Sequence, residues 1–445
     1  MMVKEKVENE GQFTALETAV NRARASSDQT QLIHALIQLG QAFLQNGNVP
    51  RALTQFEEAL PLSQASGEQL LEARLWGYKG ICLVRLGNSH FAQIALHKSH
   101  NMAKALKHNP LIMDALTQLG LLQQEMGQPT KAISKLEQAL AIALFASDKQ
   151  RTLYLAEKLG TLFFGLEAQE KALEYYGMAL QTAELLAQKP AMCAAKLHIG
   201  MVYLANNEFD IATDLFEEAL NLATELDDMQ AELSALSSLM RTHMGAGKVS
   251  MALLYGDHVL SLTREAGDEA AEIYHLKMLT SFLLEQEQYR KAIAYLQRSR
   301  ALAEAHVDWE WQLSVCHSLG SVYFYLERLD EALAVYEQAL GQAVQLQDEA
   351  MAARIYGRLS AVQAELGQTD VAIVSAQQAL EIGEKLADLS LVGAQQMLLA
   401  FAYHELDNAE QAVAFCRQAA ATYHQLEDNV LLAQAETLLA ELMGT

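Results

Sequence analysis

The chain has 445 residues, 51% of them hydrophobic and 5 of them proline, a composition that supports large-scale burial and excludes a disordered linker. Its 32 Lys and Arg against 55 Asp and Glu leave a net charge of −23, and an acidic body repels the phosphate backbone of nucleic acid. Residues 1–222 carry 19 basic and 23 acidic side chains whereas residues 223–445 carry 13 and 32, so the C-terminal half favours a partner with a basic segment.

The N-terminal residues 1–27 are predicted to form a tail and a capping helix. Phe13, Leu16, Ala19 and Val20 follow helical spacing and match the second helix of the repeat described below. The opening sequence MMVKEKVENEGQF lacks the apolar core of a signal peptide, and no run of 18 apolar residues occurs in the chain. We therefore expect a cytoplasmic protein without membrane contact.

Residues 28–427 repeat with a period of forty residues, without insertion or deletion. One series of positions is always alanine: Ala52, Ala92, Ala132, Ala172, Ala212, Ala252, Ala292, Ala332, Ala372 and Ala412. A second series starts at Gly40 and continues every forty residues to Ala400, with Met240 as its one large member. Small side chains at fixed positions let two helices approach closely, and a regular period indicates stacked units that cannot bury their apolar faces alone.

Each unit reads as two helices joined by a short turn. Apolar residues recur at helical spacing, as in DEALAVYEQAL at 330–340. Aspartates stand where they can cap the following first helix: Asp148, Asp228, Asp268, Asp308, Asp348, Asp388 and Asp428. The pattern predicts ten tandem repeats over residues 28–427, followed by a C-terminal capping helix at 428–445.

The repeat resembles the tetratricopeptide repeat, in the 40-residue variety found in kinesin light chains and G-protein-regulating spindle adaptors. Repeat eight matches the family motif most fully, at Leu319, Gly320, Tyr323, Ala332, Tyr336, Ala339 and Leu340. The resemblance implies an all-α fold, a right-handed α-solenoid of about ten helix-turn-helix repeats with a half-repeat at each end.

The resemblance also implies a concave face lined by residues 6 and 3 before, and 1 and 4 after, the glycine position. The predicted partner-binding residues on that face are Tyr154, Thr161, Phe164, Leu197, Met201, Leu204, Arg241, Met244, Tyr274, Lys277, Phe324, Arg354 and Arg358. The predicted groove residues of repeats four to six form an apolar stretch that we expect to have no role in packing. Such a groove suits an amphipathic helix or an extended peptide, and the two late arginines suit carboxylates.

The family's clamp for a C-terminal carboxylate has an Asn one residue after the glycine position. None of the ten equivalent positions here is Asn, the first being Gln41 and the last Phe401. The sequence therefore argues against a clamp of that kind.

A second group of motifs bears on cofactors. The segment GAGKVS ends like a phosphate-binding loop, but Thr242 stands in place of the first glycine and a helix precedes the segment. His97 and His100 share a helix face and a metal there is conceivable, although we favour solvated surface histidines. We expect no cofactor, no nucleotide and no metal.

The cysteines and two tryptophans have structural explanations. No two of the four cysteines lie closer than 100 residues, which favours buried thiols over disulfides or a zinc site. Trp309 and Trp311 are either exposed aromatic anchors or packing residues between repeats, and packing is favoured for Trp311.

Two functions remain open. The first is a non-catalytic scaffold or adaptor that binds a peptide or helix of a partner protein in its concave groove. The second is a regulatory subunit that senses a ligand or peptide and controls a separate effector, such as a signalling ATPase or a transcription regulator. An enzyme finds no support in the sequence.

Overall fold

The computed structural model describes residues 2–26, 28–306 and 308–444, with side chains from residue 13 onward. Met1 and Ser27 of the predicted N-terminal segment, Val307, and Thr445 of the predicted C-terminal segment lie outside the described residues. Every regular element within the described ranges is an α-helix. The prediction of an all-α helical repeat is confirmed.

Twenty-two helices follow one another in the described residues. The first eleven are α1 Met2–Ser26, α2 Gln29–Gln45, α3 Val49–Ser66, α4 Gln69–Arg85, α5 Ser89–Ala105, α6 Asn109–Glu125, α7 Pro129–Phe145, α8 Lys149–Gly165, α9 Gln169–Leu185, α10 Lys189–Ala205 and α11 Phe209–Leu226. The others are α12 Met229–Gly245, α13 Val249–Glu265, α14 Glu269–Glu285, α15 Tyr289–Ala305, α16 Trp309–Tyr325, α17 Leu329–Gln345, α18 Glu349–Glu365, α19 Thr369–Leu386, α20 Leu389–Glu405, α21 Ala409–Gln425 and α22 Asn429–Met443. Helices therefore begin about every twenty residues, two to each sequence repeat.

The chain forms two compact units, unit 1 ending at Thr242 and unit 2 beginning at His243. In unit 1 the first helices from α2 to α10 each pack on the second helix of their own repeat, as α4 does on α5, and α4 also contacts α6 of the next repeat. Unit 2 has the same internal arrangement, with α18 packed on α19 and also in contact with α16 and α20. Consecutive first helices thus form one surface within each unit.

The small positions of the repeat are explained by close packing inside each helix pair. All ten alanines of the Ala52 series are fully buried. A Cβ added at Gly40 would lie 2.5 Å from Phe56, and one at Gly160 would lie 2.5 Å from Tyr176. The glycine therefore makes room for a large side chain of the second helix sixteen residues later, since no heavier residue fits against that ring.

Helix starts and stops follow the sequence signals. Each of the seven predicted aspartates accepts a hydrogen bond from a backbone N–H in the first turn of its helix, for example from Arg151 to Asp148 at 3.1 Å. After most of the helices the chain turns through a residue with positive φ, which is glycine at Gly87 (φ 75°) but Lys at Lys107 (φ 51°). Only glycine adopts this backbone conformation without steric cost.

Candidate functional site

The predicted groove residues of unit 1 fall into two groups. Tyr154, Thr161 and Arg241 are exposed, whereas Phe164, Leu197, Met201 and Leu204 are half-buried. Phe164 packs against a core cluster that includes Leu159 and Tyr176, and Leu197 packs against one that includes Cys193 and Ala219. The expectation that this stretch has no packing role is therefore wrong for Phe164 and Leu197, whose long side chains reach back into the helix pair.

The predicted residues of unit 2 lie on several first helices. Met244 and Phe324 are half-buried, and Tyr274, Lys277, Arg354 and Arg358 are exposed. The Lys277 Nζ lies 4.9 Å from the ring centroid of Trp311, which is 7% exposed, so Trp311 is a packing residue as predicted. Trp309 is 45% exposed.

Arg354 and Arg358 act electrostatically on a neighbouring histidine. The pKa of His317 falls to about 4, mainly because burial disfavours the charged imidazolium, and next because Arg358 and Arg354 repel it. His317 is therefore neutral at physiological pH, and the positive charge of this region comes from the two arginines.

A shallow depression of about 520 Å³ lies on the first-helix surface of unit 2. Its lining includes Lys277 and Trp311, three serine hydroxyls at 281, 314 and 318, and the acidic Asp308 and Glu310. Of the predicted groove residues of unit 2, Lys277 thus belongs to a concave feature.

The remaining sequence motifs are accounted for by the helical array. Gly247 and Lys248 occupy the turn between α12 and α13, with Gly247 at φ 67°, so GAGKVS follows a helix rather than a strand. His97 and His100 are half-buried on α5, and the described residues contain no group of three His, Cys, Asp or Glu arranged to hold a metal ion. All four cysteines are buried free thiols, as predicted.

A buried carboxylate in unit 2 is also explained by packing. Glu272 on α14 is 1% exposed, and both its oxygens accept hydrogen bonds from Arg298 of α15 at 2.9 and 3.0 Å. The Arg264 Nε lies 3.2 Å from the same carboxylate. This carboxylate therefore pairs with two arginines and joins the three helices α13, α14 and α15.

A cavity in unit 1 lies between the first helices α4 and α6 of repeats two and three. It has a volume of about 450 Å³, within the usual range of ligand sites. Its lining is Arg74, Gly77, Tyr78, Ile81, Leu96, Ser99, His108, Pro110, Leu111, Asp114, Ala115, Gln118 and Arg151. We call this feature the α4–α6 cavity.

The charged groups of the α4–α6 cavity are unequally paired. Arg151 from α8 places its Nη2 3.0 Å from Asp114 and its Nε 3.6 Å from Asp148, and it donates to the Pro110 carbonyl at 3.4 Å. Burial raises the pKa of Asp114, and the nearby Arg151 and Arg74 oppose that rise. Arg74 is half-buried, and its guanidinium makes no hydrogen bond or ion pair within the described part of the chain.

Neutral polar groups complete one side of the cavity. The Tyr78 hydroxyl accepts a hydrogen bond from Gln41, and burial raises its pKa, so it stays protonated. The His108 Nδ1 accepts a hydrogen bond from the Leu111 N–H at 3.3 Å, so Nε2 is the ring nitrogen that carries an N–H. Gln118 adds an amide at the lining.

The space itself results from two small residues. A Cβ added at Gly77 would meet Ser99 Oγ at 3.2 Å and nothing from α6 within 4 Å. Ala115 faces it from the next first helix and contributes a single methyl group. Ile81, Leu96 and Leu111 form the apolar wall. The cavity is thus an apolar pocket with a small number of convergent donors, the arrangement typical of binding sites.

The α4–α6 cavity has the same register as the predicted groove but lies in repeats that contribute no residue to the predicted set. Arg74, Gly77 and Ile81 lie 6 and 3 before and 1 after Gly80, positions that the family resemblance assigned to the concave face. The predicted set begins at Tyr154, in the apolar stretch of repeats four to six. A missed signal was charge: from residue 73 to 113 the chain has no Asp or Glu but six Lys and Arg.

Sequence profiles of the tetratricopeptide repeat match residues 37–89, 71–144, 269–343 and 311–385, which together are about half of the chain. Outer dynein arm-docking complex subunit 4 of Xenopus laevis is 26% identical over 145 residues, covering 33% of this chain and 27% of that protein. Tetratricopeptide repeat protein 29 of Trypanosoma brucei brucei is 24% identical over 179 residues, covering 38% and 37%.

The chain therefore spans between about a quarter and two fifths of the length of these curated relatives. Among solved structures, the apo quorum sensor NprR from B. thuringiensis matches with a TM-score of 0.48 at 14% identity, covering 68% of this chain and 85% of that chain. No helix in the described ranges is both long and apolar enough to cross a bilayer. The profile matches and the forty-residue helix pairs show that this chain belongs to the tetratricopeptide repeat family.

Proposed function

We propose that the chain is a non-catalytic interaction protein that binds a segment of a partner protein on the first-helix surface of unit 1. The α4–α6 cavity is the observation that carries this proposal, because it combines an apolar wall with polar groups that could fix the orientation of a side chain. The Xenopus relative, named as a subunit of a docking complex, is in keeping with an interaction role.

Further parts of the proposal rest on charge and on thiols. Unit 2, residues 243–445, holds 12 Lys and Arg against 28 Asp and Glu, which supports a basic partner segment there rather than nucleic acid. Four buried free thiols support a reducing compartment such as the cytoplasm. The groove residues Met201, Leu204 and Met244 are proposed to extend the binding surfaces of their units beyond the cavity.

The test is a selection from a phage-displayed library of random peptides, followed by fluorescence anisotropy with the selected peptides. Ala115→Met directs a longer side chain into the α4–α6 cavity and should weaken binding at least tenfold. Ala141→Met is the matched control, because Ala141 is exposed on the second helix α7 of the same repeat. Its affinity should stay within twofold of the unsubstituted chain.

A second variant that blocks the cavity keeps the test valid if Ala115→Met does not fold. Gln118→Phe places a ring at the half-buried lining without changing a core position, and it should weaken binding in the same way. Circular dichroism and thermal melting establish that both variants are folded. Unchanged peptide affinity in both folded variants, or a selection that yields no saturable binder, contradicts the proposal.

A further inference from the structure

The α4–α6 cavity contains a guanidinium that has no ion pair. The other lining arginine, Arg151, pairs with Asp114 at 3.0 Å and also with Asp148, which does not line the cavity, at 3.6 Å. Of the charged side chains that line the cavity, Arg74 alone lacks an ion pair within the described residues. A half-buried guanidinium with five donors and no acceptor is best satisfied by an anion, and a carboxylate can accept two parallel hydrogen bonds from it.

Repeat two, which supplies Arg74, carries more positive than negative charge, although Lys79 and Lys98 pair with Glu57 at 2.7 Å and with Glu72 at 3.9 Å. Between Glu72 and Asp114 the chain has no acidic residue, and the same stretch carries Arg74 and five further Lys and Arg: Lys79, Arg85, Lys98, Lys104 and Lys107. Repeat two is thus a basic region in a chain of net charge −23. Such a local excess attracts an acidic segment and repels a basic one.

The shape of the cavity adds a second requirement. Gly77 and Ala115 leave the space beside Arg74 open, and Ile81, Leu96 and Leu111 line it with apolar surface. A volume of about 450 Å³ accommodates more than a carboxylate group, so the occupant also has an aliphatic portion that contacts this wall. A glutamate or aspartate beside an apolar residue meets both requirements.

The charge balance distinguishes a carboxylate from a phosphate. Among the lining side chains, Arg74 and Arg151 carry two positive charges and Asp114 one negative charge, which leaves one positive charge in excess, whereas a phosphorylated side chain carries nearly two negative charges. Asp114 lines the same cavity and would repel the second of them. The site is therefore matched to a monoanion.

We infer that the α4–α6 cavity recognises an acidic residue of the partner segment through Arg74, with an adjacent apolar residue against Ile81, Leu96 and Leu111. This rests on the proposed peptide-binding function and names the kind of segment that is bound. The specificity comes from one guanidinium held in an open apolar pocket.

The experiment uses the peptides selected on the full chain and is a double-mutant cycle. Each Glu or Asp of a selected peptide is replaced by Gln or Asn, and affinities are measured for the unsubstituted chain and for Arg74→Gln. Removing the critical acid should weaken binding about tenfold to the unsubstituted chain and less than twofold to Arg74→Gln, because the interaction has already been lost. Arg74→Lys should restore only part of the affinity, since an ammonium cannot form the paired hydrogen bonds.

Lys104→Gln serves as the control for charge alone. It removes one positive charge from the exposed side of α5, outside the cavity, and should change affinity less than twofold at physiological salt. A peptide with phosphoserine in place of the critical acid should bind more weakly than the parent. Tighter binding of the phosphoserine peptide would overturn the assignment of a carboxylate.

The outcomes separate this inference from the proposed function. Peptides that lose affinity in Ala115→Met but contain no critical acid would refute the role of Arg74 and leave the cavity as a peptide site. An equal loss on removing the acid in the unsubstituted chain and in Arg74→Gln would refute it as well. Peptides that bind Ala115→Met and Gln118→Phe normally would contradict both.

Discussion

Two regions of the chain have equivalent positions filled by different side chains. They are repeats two and three of unit 1 and repeats nine and ten of unit 2. Arg354 and Gly357 on α18 stand 280 residues after Arg74 and Gly77 on α4, so both regions have an arginine and a glycine in the same register. In unit 2, however, Gln395 of α20 occupies the place where Ala115 stands in unit 1. Gln395 therefore occupies space beside Gly357 that no side chain of α6 occupies beside Gly77.

The contacts of Gln395 show how the space is filled in unit 2. Its Oε1 accepts a hydrogen bond from Ser360 Oγ at 3.0 Å, and its Nε2 lies 2.8 Å from where a Cβ on Gly357 would be. Ser360 in turn stands where unit 1 has Gly80, which offers no hydroxyl. The repeat thus fixes the backbone, whereas side chains at a few variable positions determine what the surface can bind.

The largest expected effect comes from exchanging these residues. Gln395→Ala removes a buried side chain and its hydrogen bond and should destabilise unit 2 by about 3 kcal/mol. Ala115→Gln in unit 1 enters existing space and should change stability by less than about 1 kcal/mol. Urea unfolding of the two variants measures both. Equal losses in the two units would mean that the α4–α6 cavity is not open.

A second difference between the regions is a titratable group beside the unit 2 arginines. The pKa of His317 is depressed to about 4 by burial and by Arg358 and Arg354, against about 6.5 in an unfolded chain. Because the folded pKa is the lower one, its contribution to stability is complete above pH 6.5 and is lost as the pH falls towards 4. Between these values the chain should lose about 2 kcal/mol that His317→Gln does not lose.

Two measurements test that expectation. Urea unfolding at pH 7 and pH 4.5 compares the unsubstituted chain with His317→Gln, and NMR titration of the imidazole reports the pKa directly. An NMR pKa near 6.5 would show that the two arginines and burial do not act on this ring as described.

The smallest effect should be the same in both regions, because it depends on the backbone alone. Lys107 (φ 51°) follows α5, and Ala387 (φ 57°) stands 280 residues later after α19. Both have the left-handed conformation that glycine adopts without a steric penalty, so Lys107→Gly and Ala387→Gly should each stabilise the fold by about 0.5–1 kcal/mol. Thermal melting gives the comparison. A loss of stability in either variant would place that turn in another conformation.

The fold was predictable because its determinants repeat. Ala52 and its nine equivalents, with the Gly40 series, fixed the register of every helix pair, and Asp148 and its equivalents marked the helix starts. Each of these signals occurs many times, so an irregular member such as Met240 did not obscure the pattern. A close approach of two helices requires a small residue wherever it occurs.

The candidate site was less predictable, because a cavity depends on which small residues of different helices lie opposite each other. Gly77 and Ala115 are ordinary residues in sequence, and only their opposition across α4 and α6 leaves space beside Arg74. The prediction for Phe164 and Leu197 was wrong in the opposite way, because these apolar residues stand at groove positions but pack against the core. The absence of acidic residues from 73 to 113 was the one sequence signal that indicated repeat two.

A crystal structure of the full chain with a selected acidic peptide would show directly whether Arg74 binds a carboxylate of the peptide. We expect an acidic side chain to enter between α4 and α6, with its carboxylate within about 3 Å of the Arg74 guanidinium and an apolar neighbour against Leu111. A peptide bound elsewhere, for instance over Met201 and Leu204, with Arg74 free of contact, would contradict it.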